Sequence, residues 1–301
     1  MNNTKVIDIA AKACAKYISS EPQQVPKPIV AWMKKTPVAD YIRKRYQVDT
    51  FAFKAFDGIN LVGTRFRSVK GCNWDGKNHV MLLNHGFGVQ QLVMWMILPF
   101  FLPQGYDCVT IDLRNSGLSD KAICTMGYNE AKDVAEACNW IRKEYGDDVV
   151  LGLYGQSMGS VSILNYAPND PDLSFIVEDC GFASLENLVR GFHSQALKFL
   201  DWDPFWAKIL EVGDLDGATY DRNRPVDAVA KIPAELPILF LHSIPDTTIF
   251  VSNVDELYEA KQGEKELHKY TKAPHSLSWA FHPKLYYNDI DAFLKKYGFH
   301  K

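Results

Sequence analysis

Six short, largely apolar runs recur from residue 79 onward, separated by stretches of helical periodicity. They are HVMLLNHG (79–86), YDCVTIDL (106–113), DVVLGLYG (148–155), LSFIVEDC (173–180), LPILFLHS (236–243) and ELHKYTK (266–272). Most are apolar through their length, as strands are when helices cover both faces of a sheet. Helical spacing fills intervals at Gln90–Phe101, Asn129–Tyr145, Met158–Tyr166, Ser184–Phe199, Asn253–Lys261 and Pro283–Tyr297. This alternation specifies an α/β fold with a mostly parallel central sheet and helices on both faces. Two further candidate strands, TFAFKAF and INLVGTRF, flank Asp57-Gly58. Asp-Gly between such runs signals a hairpin, which would supply an antiparallel edge.

Two segments stand outside this rhythm. Residues 181–235 hold no strand-like run and include FLDWDPFWAKIL, which reads as a small helical cap at about 183–230 inserted over one end of the sheet. Residues 1–50 read as a helical arm packed on the core, with 51–301 as the main domain. In the arm, Val6, Ile9, Ala10, Ala13 and Tyr17 lie at helical spacing over residues 4–19, and the proline-containing SSEPQQVPKPIVAW follows as an ordered connection. The arm leaves a membrane-surface or homodimer role open.

Composition narrows the partners. A net charge of −3 over 301 residues gives no whole-chain pull toward nucleic acid or an acidic membrane. Lys5, Asp8, Lys12 and Lys16 break up the N-terminal apolar residues, so no signal peptide is expected. No apolar stretch is long enough to span a bilayer, and a cytoplasmic location is expected. The six cysteines show no paired or metal-ligand spacing and read as reduced packing residues; Cys138, for example, shares a helical stripe with Val134 and Ile141.

Ligands of an open parallel sheet bind beyond the carboxyl ends of its strands. Ser157, in Gly155-Gln156-Ser157-Met158-Gly159, directly follows an apolar run and directly precedes a helical one. The two glycines permit a tight strand-to-helix elbow that holds the hydroxyl at that edge. A serine hydroxyl needs a base to act as a nucleophile. His275, in TKAPHSLSW, follows the last strand-like run and is placed to serve. Asp246, in LPILFLHSIPDTTIF, follows the preceding run and is the first choice for the acid that orients the base. Asp179, also at a strand end, is the alternative acid. Two N–H groups must face the developing oxyanion. Met158, at the start of the elbow helix, and Phe87, in the loop LLNHGFGVQQ, are the candidates, with His85 and His242 bracing their loops.

With these residues in place, the chain resembles the serine-nucleophile α/β-hydrolases over roughly residues 50–300. HGFG, DLRNSGLSD, GQSMG, HSIPD and PHSLSW occur in the family's order. More narrowly it is similar to bacterial esterase-like and serine-aminopeptidase-like hydrolases whose acid loop reads HSxxD. The resemblance implies an α/β-hydrolase fold, bracing roles for Asp112 and Arg114, and hydrolysis through an acyl-enzyme with no cofactor and no metal. The acid loop departs from many relatives in carrying Ser243 where they have Gly.

The expected substrate is a small molecule, a carboxylic ester first. Amide, aminopeptide and thioester substrates are the alternatives, and a non-catalytic binding protein of the same fold is the reading from a different class. Trp95, Trp202, Phe205 and Trp206 are candidate pocket residues, although the cap aromatics also suit a core of their own. His193 reads as a structural cap residue. An aminopeptidase would need an acidic anchor, for which Glu178, Asp201 and Asp203 are candidates. Cys180 reads as a packed thiol, since no histidine lies near it in sequence.

Overall fold

Gly58 takes φ 88° at the tip of the expected hairpin, joining β1 (Tyr46–Lys54) to β2 (Asn60–Ser68) in antiparallel register. The computed structural model describes residues 3–19, 27–68, 71–215 and 220–300. The remaining strands are β3 (His79–Asn84), β4 (Asp107–Asp112), β5 (Val150–Gln156), β6 (Phe175–Asp179), β7 (Ile238–Ser243) and β8 (Lys265–Tyr270). All eight form one sheet in the order β1-β2-β4-β3-β5-β6-β7-β8. β2 meets β4 antiparallel, and every pairing from β4 to β8 is parallel. This is the α/β-hydrolase arrangement, a mostly parallel sheet with an antiparallel edge.

The central strands are largely apolar because both faces are covered. Every residue of β3, β4 and β7 is buried. Side chains alternate between the faces, so Val80, Leu82, Leu153, Ile176 and Phe240 join one core cluster. That cluster packs beneath α4 (Glu130–Tyr145), α5 (Met158–Tyr166) and α9 (Ser252–Ala260). Their neighbours Met81, Leu83, Tyr154, Val177 and Leu241 join the other. It packs against α3 (Pro37–Arg45) and α11 (Pro283–Lys296), with α2 (Lys27–Met33) and the short α10 (Ser278–Phe281) at its margin.

Two expected helices take other forms. Gln90–Phe101 folds as two 3₁₀ turns, Gln91–Met96 and Leu98–Phe100, with a third at Leu102–Gln104 just beyond it; Pro99 lacks the N–H that an α-helix through it requires. Ser184–Phe199 divides into α6 (Leu185–Phe192) and a wider π turn at His193–Leu197. There Ser194 Oγ and Gln195 Nε2 both donate to the Gly191 carbonyl, competing with the α-helical pattern.

The cap continues through α7 (Trp202–Leu215) and α8 (Pro225–Val229), and the N-terminal helix α1 (Asn3–Ser19) packs on it. The buried stripe of α1 is Ile7, Ala11, Ala15 and Ile18. This corrects the sequence reading, which placed Ile9 and Tyr17 inward. Both stripes fit a helical period, but Ile9 is 57% and Tyr17 55% exposed. Tyr220 donates its hydroxyl to the Ala15 carbonyl, and Lys208 of α7 pairs with Asp8. The arm therefore joins the cap on one face of the sheet, while α2 and α3 join the core on the other. Of the proline-containing connection, residues 20–26 lie outside the described residues. A division at residue 50 cuts through β1, which begins at Tyr46. The six cysteines are all unpaired, and no helix among the described residues is long and apolar enough to cross a membrane.

Asp112 and Arg114 tie the loop after β4 to its surroundings. Asp112 accepts from the Gln91 and Leu118 backbone N–H groups. Arg114 donates two bonds to the buried Asp133 carboxylate, at 2.9 and 2.7 Å, and one to Asp57. Removing one partner of such a pair strands the other charge in the interior. Arg114→Ala should therefore lose about 3–5 kcal/mol of unfolding free energy in urea titrations. A loss below about 1 kcal/mol, the scale of a surface ion pair, would show that the pair does not brace the fold.

Candidate active site

The elbow is built by close backbone approach. A Cβ on Gly159 would lie 2.3 Å from the Asn84 carbonyl oxygen, and one on Gly155 would lie 2.5 Å from that of Gly159. Only glycine lets α5 cross β3 and β5 so tightly. Ser157, between strand and helix, is held at φ 56° and ψ −120°. A side chain in such a conformation carries about 1–3 kcal/mol of strain. The Ser157 N–H donates to the Asp179 carbonyl at 2.8 Å, which pins the turn to β6.

Ser157 Oγ lies 2.9 Å from His275 Nε2, and His275 Nδ1 lies 2.6 Å from Asp246 Oδ2. With Nδ1–H donating to the carboxylate, Nε2 accepts the hydrogen bond of the serine hydroxyl. The other oxygen of Asp246 accepts the Thr248 and Ile249 backbone N–H groups at 2.8 and 3.0 Å. The Asp246 side chain is fully buried, whereas His275 keeps 19% of its side-chain surface. His242 Nε2–H donates to the Ile249 carbonyl at 2.9 Å, and burial holds its pKa below the usual histidine range. It stays neutral and fixes the acid loop. Ser243 ties that loop to the base loop, since its hydroxyl donates to the Ala273 carbonyl.

Asp179 serves a different network. Its Oδ2 accepts from Tyr154, Tyr286 and Gln156, at 2.9, 2.8 and 3.1 Å. Gln156 also donates to the Ser276 carbonyl at 3.0 Å, and Trp279 Nε1 donates to the same oxygen. Through this network the residue after His275 is fixed at φ 60°. Cys180 is the packed thiol expected from sequence, but it has a neighbour the sequence did not reveal. No histidine is near it in the chain, yet its Sγ, an Asp246 oxygen and a His275 nitrogen all lie within 4.8 Å of one another. Its Sγ is 3.2 Å from Ser276 Oγ, and burial, reinforced by the nearby Asp179 and Asp246 charges, pushes the thiol pKa well up. Proximity to His275 thus comes without thiolate character.

The loop after β3 passes directly over the serine. A Cβ on Gly86 would lie 3.1 Å from Ser157 Cβ, so Phe87 follows at the rim of the site. His85, fully buried, donates Nδ1–H to the Gly86 carbonyl at 2.7 Å and accepts the Leu113 N–H at Nε2. Burial lowers its pKa, and it braces the loop as a neutral group. Neither the Phe87 nor the Met158 N–H has an acceptor among the described residues. Tyr17 of the N-terminal helix packs edge-on to Phe87, with ring centroids 5.5 Å apart, a contact that no motif announced.

The candidate pocket residues fare unevenly. Trp95 is buried edge-on to Phe66 beneath Arg43, in the core cluster opposite the cap. Phe205 is 0% exposed, enclosed by His193 and Trp202. Both are core residues, which corrects the sequence reading: their apolar surface is spent on protein contacts. Trp202 and Trp206 stack on each other at 5.7 Å, with Arg190 over Trp202, and are half-buried. Exposed apolar side chains missed in sequence flank the triad loops instead: Ile244, Phe250 and Leu277 from the acid and base loops, and Phe192 at the end of α6. Gln195 joins the cap to the acid loop by donating to the Thr247 carbonyl. Of the candidate acidic anchors, Glu178 is fully buried and accepts from Ser160 Oγ and the Gly181 N–H, while Asp201 and Asp203 are exposed at the start of α7. A separate cleft of about 770 Å³, lined by Arg142, Asp170 and Lys231, opens between α4 and α8, away from Ser157.

Comparison with known proteins agrees with this architecture. Residues 79–227 match the family model described as the alpha/beta hydrolase fold. The chain is 25% identical over 280 residues to the uncharacterized protein YqkD of Bacillus subtilis (strain 168), covering 88% of this chain and 90% of that one. It is structurally similar to the esterase Pf2001 of Pyrococcus furiosus, with TM-score 0.71 and 19% identity over 92% of this chain and 98% of that one. The acylaminoacyl peptidase of Pyrococcus horikoshii is similar with TM-score 0.63 and 14% identity, over 88% of this chain and 44% of that one.

Glu178 yields a pH-dependent expectation. Burial pushes its pKa up to about 8, against an ordinary value of about 4.3 in an unfolded chain. Between those values the folded state holds a proton that the unfolded state has lost. Stability from this group is full below about pH 4.5 and falls by up to about 1.4 kcal/mol per unit as pH rises toward about 8. Glu178→Gln keeps the acceptor for Ser160 and removes the titration. Denaturant melts should show the variant gaining on the wild type from about pH 5 to about pH 8. Parallel stability curves would mean that Glu178 does not hold its proton in the folded state.

Proposed function

We propose, from the premise that this chain belongs to the α/β-hydrolase superfamily, that it is a serine hydrolase cleaving carboxylic esters through an acyl-enzyme. The observation that carries the reading is the unbroken line Asp246–His275–Ser157, with hydrogen-bond separations of 2.6 and 2.9 Å, ending on a strained elbow. In this reading Ser157 Oγ attacks the acyl carbonyl carbon while His275 Nε2 takes its proton. Asp246, fixed by two backbone N–H groups, holds the Nδ1–H tautomer and stabilises the imidazolium. The carbonyl π electrons move to oxygen, and the uncommitted N–H groups of Phe87 and Met158 receive that charge. Each such donor contributes about 3–4 kcal/mol to the transition state. Collapse breaks the bond to the alkoxy group, which leaves with the proton from His275. Water, deprotonated by His275, then releases the acid and restores Ser157. Every step draws on protein groups.

An ester is favoured over a free aminopeptide by the surroundings. Ile244, Phe250, Leu277 and Phe192 border the triad loops with apolar surface. An ammonium group would need a carboxylate within the site, and Glu178, behind the elbow, is enclosed and already bonded. Thioesters fit the same chemistry.

A fluorophosphonate probe should label the protein at neutral pH and fail to label Ser157→Ala. Absence of labelling on the wild-type chain would favour a binding protein of the same fold. Asp246→Asn, which forces the wrong tautomer, should lower kcat on p-nitrophenyl esters by about 10⁴. Aminoacyl anilides turned over faster than esters of graded chain length would replace the ester reading with an amidase one.

A further inference from the structure

The net charge of −3 conceals a division of the chain. Residues 1–45 contain nine Lys or Arg (Lys5, Lys12, Lys16, Lys27, Lys34, Lys35, Arg43, Lys44 and Arg45) against three acidic residues, Asp8, Glu21 and Asp40. The arm is thus strongly basic and the body that follows strongly acidic. The helix α2 adds an exposed apolar pair to this charge. Met33 is its one buried side chain among the described residues, while Trp32 is 67% and Ile29 47% exposed. Three positions apart, Ile29 and Trp32 lie on one side of the helix. Lys27 begins the helix, and Lys34 and Lys35 continue its last turn, their N–H groups donating to the Val30 and Trp32 carbonyls. Among the described residues none of these three lysines meets a carboxylate. An exposed tryptophan beside unpaired lysines combines the two groups that a membrane interface takes up: an amphipathic ring at headgroup depth and cations over anionic phosphates.

We propose that α2 is a docking surface for anionic lipid bilayers, with Trp32 and Ile29 entering the headgroup layer and Lys27, Lys34 and Lys35 held over the phosphates. Charge complementarity selects this occupant over a second copy of the chain, since two copies face to face would set basic arms against each other. The surface is held in a fixed place: the Lys34 carbonyl accepts from Arg43 Nη1 at 2.6 Å, and α2 packs on the turn Gln91–Met96. That turn directly follows the loop carrying Phe87. The inference does not depend on the hydrolytic reading, and its test needs no turnover.

The test is flotation of the full chain, as Ser157→Ala, with phosphatidylcholine vesicles containing or lacking about one-third phosphatidylglycerol. The expected result is flotation with the anionic vesicles, none with phosphatidylcholine alone, and release in about 0.5 M salt, where charges are screened within a few ångströms. Lys34→Glu with Lys35→Glu should lower the partition coefficient at least tenfold, at about fivefold per lysine lost. Trp32→Ala should lower it by about tenfold through the lost apolar insertion. All three positions are exposed, and unchanged melting temperatures would show that the variants fold. No flotation with anionic vesicles, equal flotation with neutral ones, or binding indifferent to the lysine changes would each overturn the proposal. So would a concentration-dependent dimer lost in Trp32→Ala without flotation, which would make α2 an interface between copies.

Discussion

The crossing of α5 over β3, where Gly159 meets the Asn84 carbonyl without room for a side chain, is the constraint on which the rest of the site depends. It sets the height of the elbow and forces Ser157 into its positive-φ conformation. The same crossing brings the Gly86 loop within contact of the serine Cβ. The neighbouring strands then supply what the elbow lacks. β6 holds it through the Asp179 carbonyl, β7 carries Asp246, and β8 carries His275.

Strain is shared around this centre. Ser157, Cys180 and Ser276, one from each of three adjoining loops, all have positive φ without being glycine. They are held by partners outside themselves: the Asp179 carbonyl for Ser157, the Leu241 carbonyl for Cys180, and Gln156 with Trp279 for Ser276. Gln156 links two of these loops, because its amide spans the Asp179 carboxylate and the Ser276 carbonyl. The residue between Gly155 and Ser157 thus positions the turn that carries the base.

Much of this was legible in the chain because it is written locally. Apolar runs alternating with helical periods specify a parallel sheet, and strand ends specify an edge, so the sequence alone puts Ser157, Asp246 and His275 at one edge. What was not legible depends on contacts remote in sequence. Cys180 lies far along the chain from His275, and only the fold brings them together. Trp95 and Phe205 look like pocket residues by composition, but tertiary packing encloses them. The stripe of α1 is ambiguous because shifting it by one residue fits the same period, and only docking on α7 selects Ile7 over Ile9. Pro99 removes an N–H from an interval whose apolar spacing reads as helical, and the chain there takes 3₁₀ turns instead.

The docking of α1 also bears on the order in which the molecule can be assembled. The Tyr220 hydroxyl bond to the Ala15 carbonyl joins residues 205 positions apart. The packing partners of α1, namely α7 and Tyr220, follow most of the sheet in the chain. Closing so long a loop carries an entropic penalty that early contacts do not repay, so such pairings form late. Because Tyr17 at the end of that helix rests on Phe87, a pairing that closes so long a loop also reaches the rim of the candidate site.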